Sequence, residues 1–133
     1  MDNPKSLIPK FFGVHKLHFT SPKMVTNIGT EKVYFCVMSN IFGSELEVHE
    51  MYDLKGSTYK RELTEEQMKH VQNKTAKIAQ KDNDFLNKGV KLKFPARQKA
   101  KYMDIIEKDV KWFKENQIVD YSFLVGIHSL PQS

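Results

Sequence analysis

Residues 50–61 concentrate the side chains of this sequence that could bind a phosphate group. Asp53 and Lys55 lie two residues apart, so their side chains point to the same face if the segment is an extended strand. Gly56 then lets the backbone approach a ligand closely or adopt a positive φ. The segment continues with two hydroxyls and two cations, namely Ser57, Thr58, Lys60 and Arg61. This set suits phosphate, because lysine supplies a point charge and arginine a bidentate fork. A Gly-Ser turn with solvated charges is the alternative.

A second candidate is Asp120, which lies between a predicted helix and the apolar residues 123–127. An acidic side chain where a loop meets the interior is costly unless it has a hydrogen-bonded partner or a chemical task. Asp120 is therefore a candidate functional residue. The alternative is that its carboxylate only caps or braces the turn.

Both segments resemble sequences of the phosphatidylinositol phosphate kinases. Residues 52–58, YDLKGST, look like the signature segment of that family, and residues 119–128, VDYSFLVGIH, are similar to its catalytic loop and the strand after it. The similarity runs from Asn3 to His128. It implies an α+β fold, an antiparallel sheet with helices, in which residues 1–133 form part of a protein-kinase-like catalytic domain.

The resemblance also implies roles for particular residues. A family member transfers the γ-phosphate of ATP to a hydroxyl of a phosphatidylinositol monophosphate and so forms a bisphosphate. Phosphoryl transfer needs positioning and charge neutralisation, and the match assigns Asp120 to the attacking hydroxyl and Lys55 to the phosphate. Lys60 and Arg61 would recognise phosphates on the inositol ring. A hinge that holds adenine through its backbone would comprise Val37, Met38, Ser39 and Asn40. A plain loop between strands fits these hinge residues as well.

Several parts of a kinase domain have no counterpart in the match. These are the nucleotide-covering glycine-rich loop, the ATP-binding lysine, the magnesium-binding acid and the activation loop. ATP and Mg²⁺ are therefore expected as cofactors of a complete domain, whereas this chain by itself is expected to turn over ATP slowly or not at all. The alternative function is a non-catalytic module that binds phosphoinositides or a kinase.

Composition limits the partners and the compartment. Twenty-one Lys and Arg against 16 Asp and Glu leave a net charge of +5, which favours an anionic partner such as a lipid headgroup or a nucleotide. Nucleic-acid binding is expected to rank last, because the pattern of Lys and Arg positions is not that of basic residues interleaved with aromatic ones. The length suits at most one domain. A single cysteine, Cys36, excludes an internal disulfide and indicates a reducing compartment.

Membrane contact is expected to be peripheral, because no stretch approaches the roughly 18 apolar residues of a membrane span. The sequence therefore predicts a cytoplasmic protein at the cytoplasmic face of a membrane, with a homodimer left open. No zinc site is expected, since the side chains of His15 and His18 would point to opposite faces of a strand and no cysteine pair completes a tetrahedral set.

The first predicted elements are two strands, residues 11–19 and Lys32–Met38, joined by a loop over residues 21–30. The second strand is apolar on both faces, which predicts a central strand covered on both sides.

The remaining elements are mostly helical. A capping box at Thr64 and Gln67 predicts a surface helix to about residue 80, whose lysines are expected to be solvated rather than membrane-bound. Residues 82–87 are predicted as a turn and residues 90–94 as a short strand. A helix from Ala96 to about residue 117 should follow. Its predicted core face comprises Met103, Ile106, Val110 and Phe113, and it is widened by Tyr102, Ile105 and Trp112.

Overall fold

The computed structural model describes residues 3–43, 45–89 and 91–130. It confirms the α+β class, with helices and two small antiparallel sheets. The described residues divide into two compact units, one formed by residues 8–43 and the other by the remainder. In chain order the elements are β1 (Phe11–His18), α1 (Pro22–Ile28), β2 (Lys32–Met38), β3 (Glu50–Leu54), α2 (Glu65–Gln72), α3 (Asp82–Asn87), α4 (Ala96–Glu115) and β4 (Phe123–Ile127).

The smaller unit is a hairpin in which β1 and β2 pair antiparallel, with Val14 opposite Cys36. Both predicted strands are confirmed, but the loop predicted between them is wrong because that segment contains α1. Pro22 begins this helix, and Gly29 ends it at φ 79 with its N–H bonded to the Val25 carbonyl. Proline at the start and glycine just past the end are helix boundary signals as well as loop signals.

The prediction that β2 is covered on both sides is also wrong. In the described part of the chain β2 pairs only with β1, and side chains on both of its faces are exposed, including Tyr34 at 66% and Val37 at 41%. Apolar residues on two faces indicate that a strand can be covered, but no described element of this unit supplies the covering layer.

The larger unit is built around β3, which pairs antiparallel with β4 and places Tyr52 opposite Val125. Tyr52 is fully buried, and the ring of Phe85 meets it edge-on at 5.0 Å. Gln80 bridges to the other edge of β3, because its N–H donates to the Met51 carbonyl and its carbonyl accepts from Asp53 N–H, both at 2.8 Å. The buried apolar side chains are Tyr52, Leu63 and Ile105.

A polar network closes one side of this core. The Tyr52 hydroxyl donates to the Glu50 carboxylate at 2.6 Å, and the Lys88 ammonium donates to the same carboxylate at 2.6 Å. Burial, together with the bond to Glu50, raises the pKa of Tyr52 far above its ordinary value. Burial alone would raise the pKa of Glu50, but the bonds from Lys88 and Tyr52 outweigh it and lower that pKa.

Three sequence predictions for residues 64–94 need correction. The helix expected to reach residue 80 ends at Gln72, and Lys74 adopts a left-handed φ of 55. The turn predicted at residues 82–87 is the short helix α3. The strand predicted at residues 90–94 is absent over 91–94, which form no regular element, while Val90 lies outside the described residues.

The long helix α4 is confirmed, and its predicted core face is confirmed in part, because Ile105 is buried and Ile106 and Phe113 are half-buried. Ile105 and Asp109 are buried, whereas Met103 and Val110 are 46% and 40% exposed. Asp109 accepts a hydrogen bond from Leu7 N–H at 2.8 Å. This bond attaches the segment before β1 to α4 and helps set which face of the helix packs inwards. None of the described helices combines the length and the apolarity needed to cross a bilayer.

The capping box of α2 provides a stability prediction. Gln67 N–H donates to the Thr64 hydroxyl at 3.2 Å, and the Gln67 side chain accepts from Thr64 N–H at 3.0 Å. Thr64→Ala should lower the free energy of unfolding by about 1 kcal/mol, because one helix N–H loses its acceptor. Urea unfolding followed by circular dichroism measures this. Thr64→Ser keeps the acceptor and should retain most of the stability, so equal losses in both variants would contradict the role of the cap.

Candidate functional site

The structure brings Lys55 and Asp120 together although 65 positions separate them in the chain. Lys55 directly follows β3, and Asp120 precedes β4 by a short loop. Because Leu54 at the end of β3 pairs with Phe123 at the start of β4, both loops emerge at the same end of the sheet. There the Lys55 ammonium donates a hydrogen bond to the Asp120 carboxylate.

The carboxylate of Asp120 is exposed and ionised. Its side chain is 80% accessible, and the hydrogen bond and charge of Lys55 hold its pKa below the ordinary value. Asp120 adopts a left-handed φ of 61, which a short polar side chain tolerates better than most. The next residue, Tyr121, stacks on Phe113 of α4 at 4.4 Å. This stacking anchors the loop to the helix and so positions Asp120.

The loop after β3 presents polar groups to solvent. Gly56 adopts φ 72 with open space around the position of a side chain, so the backbone conformation rather than crowding requires glycine. Three exposed residues with hydroxyl groups follow, namely Ser57, Thr58 and Tyr59. Lys60 is also exposed, and its ammonium lies 5.2 Å from the centroid of the Tyr59 ring.

Asp82, at the start of α3, holds both ends of this loop. Its Oδ1 accepts hydrogen bonds from Gly56 N–H at 2.9 Å and Lys55 N–H at 3.1 Å, and its Oδ2 accepts from Arg61 Nε at 2.8 Å. The Arg61 guanidinium also bonds to the Asp53 carbonyl and approaches the Asp53 carboxylate at 3.4 Å. Asp82 therefore fixes the backbone immediately after β3, from which the Lys55 side chain reaches Asp120.

Electrostatics favour the ionised form of Asp82. Its side chain is only 9% exposed, and burial alone would raise its pKa. The bonds from Arg61, Gly56 and Lys55 outweigh burial, so the pKa of Asp82 lies below its ordinary value. The bond to Asp82 in turn raises the pKa of Arg61. The residues at this site thus form a buried ion pair with further backbone hydrogen bonds, rather than a set of solvated charges.

The neighbours of Asp82 complete the support of the loop. Asn83 donates from its side chain to the Thr58 carbonyl at 3.0 Å and from its N–H to the Arg61 carbonyl at 2.8 Å. Asp84 accepts from Leu63 N–H at 3.1 Å and from Lys81 N–H at 2.9 Å. Sequence reasoning interpreted these three residues as turn chemistry and missed their function as a support. The signal it could have used is carboxylates at a helix N-terminus, where they are favoured.

Comparison with known proteins decides the family. Residues 1–133 match the family model described as phosphatidylinositol-4-phosphate 5-kinase. The chain belongs to this family. It is 37% identical over 129 residues to phosphatidylinositol 5-phosphate 4-kinase type-2 beta of Rattus norvegicus, and the match covers 96% of this chain but 27% of that relative. The family expected from the two sequence segments is thereby confirmed.

Other relatives show the same partial coverage. The human phosphatidylinositol 5-phosphate 4-kinase type-2 alpha is 34% identical over 96% of this chain and 28% of its own length. The phosphatidylinositol 4-phosphate 5-kinase of Plasmodium falciparum is 34% identical over 95% of this chain and 7% of its own length. The chain therefore spans at most about a quarter of these kinases.

The hinge residues expected from the kinase family lie in the smaller unit. Ser39 N–H is bonded to the Lys10 carbonyl at 2.8 Å, and the Ser39 hydroxyl accepts from Lys10 N–H at 2.9 Å. Asn40 lies in a turn, where its side-chain oxygen accepts a hydrogen bond from Phe42 N–H and its backbone carbonyl accepts one from Gly43 N–H. Nucleotide binding by the four hinge residues stays a prediction.

The acidic residues near Lys55 and Asp120 do not form a metal site by themselves. Among residues 3–43, 45–89 and 91–130, no three His, Cys, Asp or Glu side chains are grouped so that they could hold an ion. Near the candidate site, Asp120 is paired with Lys55, and Asp53 and Asp82 are paired with Arg61. Each of these carboxylates is paired with a cation, so this donor set does not fit Mg²⁺.

Proposed function

We propose that this chain forms the phosphate-transfer part of a lipid kinase whose substrate is a phosphatidylinositol monophosphate. The observation that carries the proposal is the contact between the Lys55 ammonium and the Asp120 carboxylate. Two of the relatives are named as a 5-phosphate 4-kinase and a 4-phosphate 5-kinase, so what they share is the monophosphate class. The ring hydroxyl that is phosphorylated remains open between those two.

Asp120 and Lys55 have complementary roles in this proposal. Asp120 accepts a hydrogen bond from the attacking hydroxyl and takes up its proton as the hydroxyl oxygen bonds to the γ-phosphorus of ATP and ADP departs. Lys55 neutralises charge on the phosphate, so its ammonium exchanges its bond to Asp120 for bonds to phosphate oxygens. Phosphoryl transfer depends mainly on such positioning and neutralisation.

Lys60 and Arg61 would recognise the phosphate on the inositol ring, in different ways. Lys60 is exposed and supplies a mobile point charge. Arg61 is only 15% exposed and uses Nε and Nη2 for Asp82 and Asp53. Its Nη1 has no partner in the part of the chain that the structure describes, so this atom is the donor left for a substrate phosphate.

The proposal is tested with a chimeric kinase. Residues 1–133 replace the corresponding segment of the human type-2 alpha kinase, to which they are 34% identical, and phosphate transfer to phosphatidylinositol monophosphate in vesicles is measured. We expect the chimera to transfer phosphate and the 133-residue polypeptide alone to do so slowly or not at all. A folded chimera without activity, judged by its circular dichroism and melting curve, would overturn the proposed function.

A non-catalytic module is the second candidate function, because the exposed Lys60 and the hydroxyls of Ser57 and Thr58 could hold a headgroup phosphate without a chemical step. This candidate requires the polypeptide alone to bind phosphatidylinositol monophosphate. Sedimentation with vesicles that contain this lipid, in the absence of ATP, measures that binding. Binding by the polypeptide together with an inactive chimera would favour the module over the kinase.

A further inference from the structure

The net charge of the chain is concentrated in residues 91–101, which we name the cationic segment. It contains no acidic residue, and its five cations are Lys91, Lys93, Arg97, Lys99 and Lys101. The chain as a whole has 21 Lys and Arg against 16 Asp and Glu. All other residues together therefore carry equal numbers of both signs, and the entire excess of +5 resides in this segment.

The five cations are exposed and have no acidic partner among the described residues. Every residue from 91 to 101 is exposed. Elsewhere in the same unit lysines do find carboxylates, as Lys88 does with Glu50, Lys108 with Asp104 and Lys111 with Glu115. The cationic segment thus differs from these parts of the surface, where each lysine is paired with a carboxylate.

Apolar side chains accompany these charges on the surface. Leu92 and Phe94 alternate with Lys91 and Lys93 and are 43% and 46% exposed. Just beyond the segment, Tyr102 and Met103 are 39% and 46% exposed, and the Tyr102 ring lies 5.3 Å from that of Phe94. Cations interleaved with exposed apolar groups are typical of surfaces that lie at the boundary of lipid headgroups and acyl chains.

We propose that the cationic segment binds the surface of a bilayer that contains anionic phospholipid. The cations would contact headgroup phosphates and carboxylates, while Leu92 and Phe94 enter the headgroup region. A single-stranded nucleic acid is the weaker fit, because base binding relies on free aromatic faces, whereas Leu92 has no ring and Phe94 already packs against Tyr102. This surface does not involve Lys55, Lys60 or Asp120, so it does not depend on the proposed catalytic role.

Vesicle sedimentation of the 133-residue chain tests the proposal without phosphoinositide and without ATP. The chain should bind vesicles of phosphatidylcholine with phosphatidylserine but not of phosphatidylcholine alone, and added salt should weaken binding by screening. Each basic residue near an anionic membrane strengthens binding by roughly fivefold. Replacing Lys91, Lys93 and Lys99 by glutamine should therefore weaken binding by roughly 100-fold.

The matched control removes three exposed lysines outside the segment and lowers the net charge by the same amount. It replaces Lys69, Lys74 and Lys77 by glutamine and should bind as the unmodified chain does. Equal weakening by both triple variants would overturn the proposal, because net charge alone would then explain binding. Tighter binding to a single-stranded oligonucleotide than to anionic vesicles would overturn it too. Circular dichroism and melting curves establish that both variants fold.

Two further variants distinguish this surface from the substrate site. Phe94→Ser should weaken binding to phosphatidylserine vesicles at high salt, where the apolar contribution remains. Lys60→Ala should leave binding to those vesicles unchanged while lowering binding to phosphatidylinositol monophosphate. If Lys60→Ala abolished both kinds of binding, a single anion site would account for them and the cationic segment would lose its role.

Discussion

Asp120→Asn should lower the rate of phosphate transfer by the chimeric kinase by roughly 10²–10⁴-fold, the range that a positioned general base contributes. Asparagine keeps the size of the side chain but does not take up the proton of the attacking hydroxyl. The KM for the lipid should change little, since the ring phosphate is held by other groups. Initial rates at saturating ATP, measured across lipid concentrations, separate the two parameters.

The same variant should leave the melting temperature of the chimera unchanged. The Asp120 side chain is 80% exposed, and its ion pair with Lys55 is a surface pair, which contributes little to stability. Asp104→Asn is a matched control, because Asp104 forms an exposed ion pair with Lys108 on α4. A rate for Asp120→Asn within a few fold of that of the control would contradict its role in the chemistry.

The family resemblance assigned Lys55 and Asp120 to one phosphate-transfer site, and the structure shows the strand pairing that brings the two side chains together. Each residue adjoins a strand that could be recognised from its apolar pattern and its family resemblance. Once β3 and β4 are antiparallel neighbours, the end of one strand lies beside the start of the other. The residue pattern alone did not predict that β3 and β4 pair, so the contact was expected from the resemblance only.

The support of the loop by Asp82 was not accessible in the same way. Residues 82–87 are short and rich in turn-forming side chains, so the pattern predicted a turn and missed α3. The carboxylate of Asp82 bonds to Gly56 and Arg61, which lie 26 and 21 residues earlier in the chain. Such long-range hydrogen bonds leave no periodic signal, and only the folded chain shows that these charges are buried together.

Exposed apolar residues show that an apolar pattern can predict an element without predicting which of its side chains are buried. The apolar pattern of β2 correctly predicted a strand, but it could not tell whether another layer covers the strand. The predicted face of α4 was right for Ile105, which is buried, and wrong for Met103 and Val110, which are exposed. It also left out Asp109, which is buried. Periodicity recognises apolar side chains only, and a buried carboxylate such as that of Asp109 is counted on the wrong side of the helix.

The second large effect is expected at Asp82. Asp82→Ala should lower the free energy of unfolding of the 133-residue chain by about 3 kcal/mol, because Arg61 loses its closest carboxylate and two backbone N–H groups lose their acceptor. Urea unfolding monitored by circular dichroism measures this loss. Asp104→Ala, at an exposed pair, should change stability by only a few tenths of a kcal/mol. Similar losses in the two variants would show that Asp82 does not hold the loop.

The pH dependence of this loss separates the charge of Asp82 from its packing. Its pKa in the folded chain lies below the ordinary value, which is about 3.9. The unfolded state therefore binds the proton first as pH falls, so the stabilisation is complete above about pH 5 and is lost as pH falls through the lowered folded pKa. Asp82→Asn removes the titrating group. The difference in stability between the unmodified chain and Asp82→Asn should be constant above about pH 5 and should shrink as the pH falls below about 4. A difference that stayed constant down to acidic pH would mean that shape, not charge, connects Asp82 to Arg61.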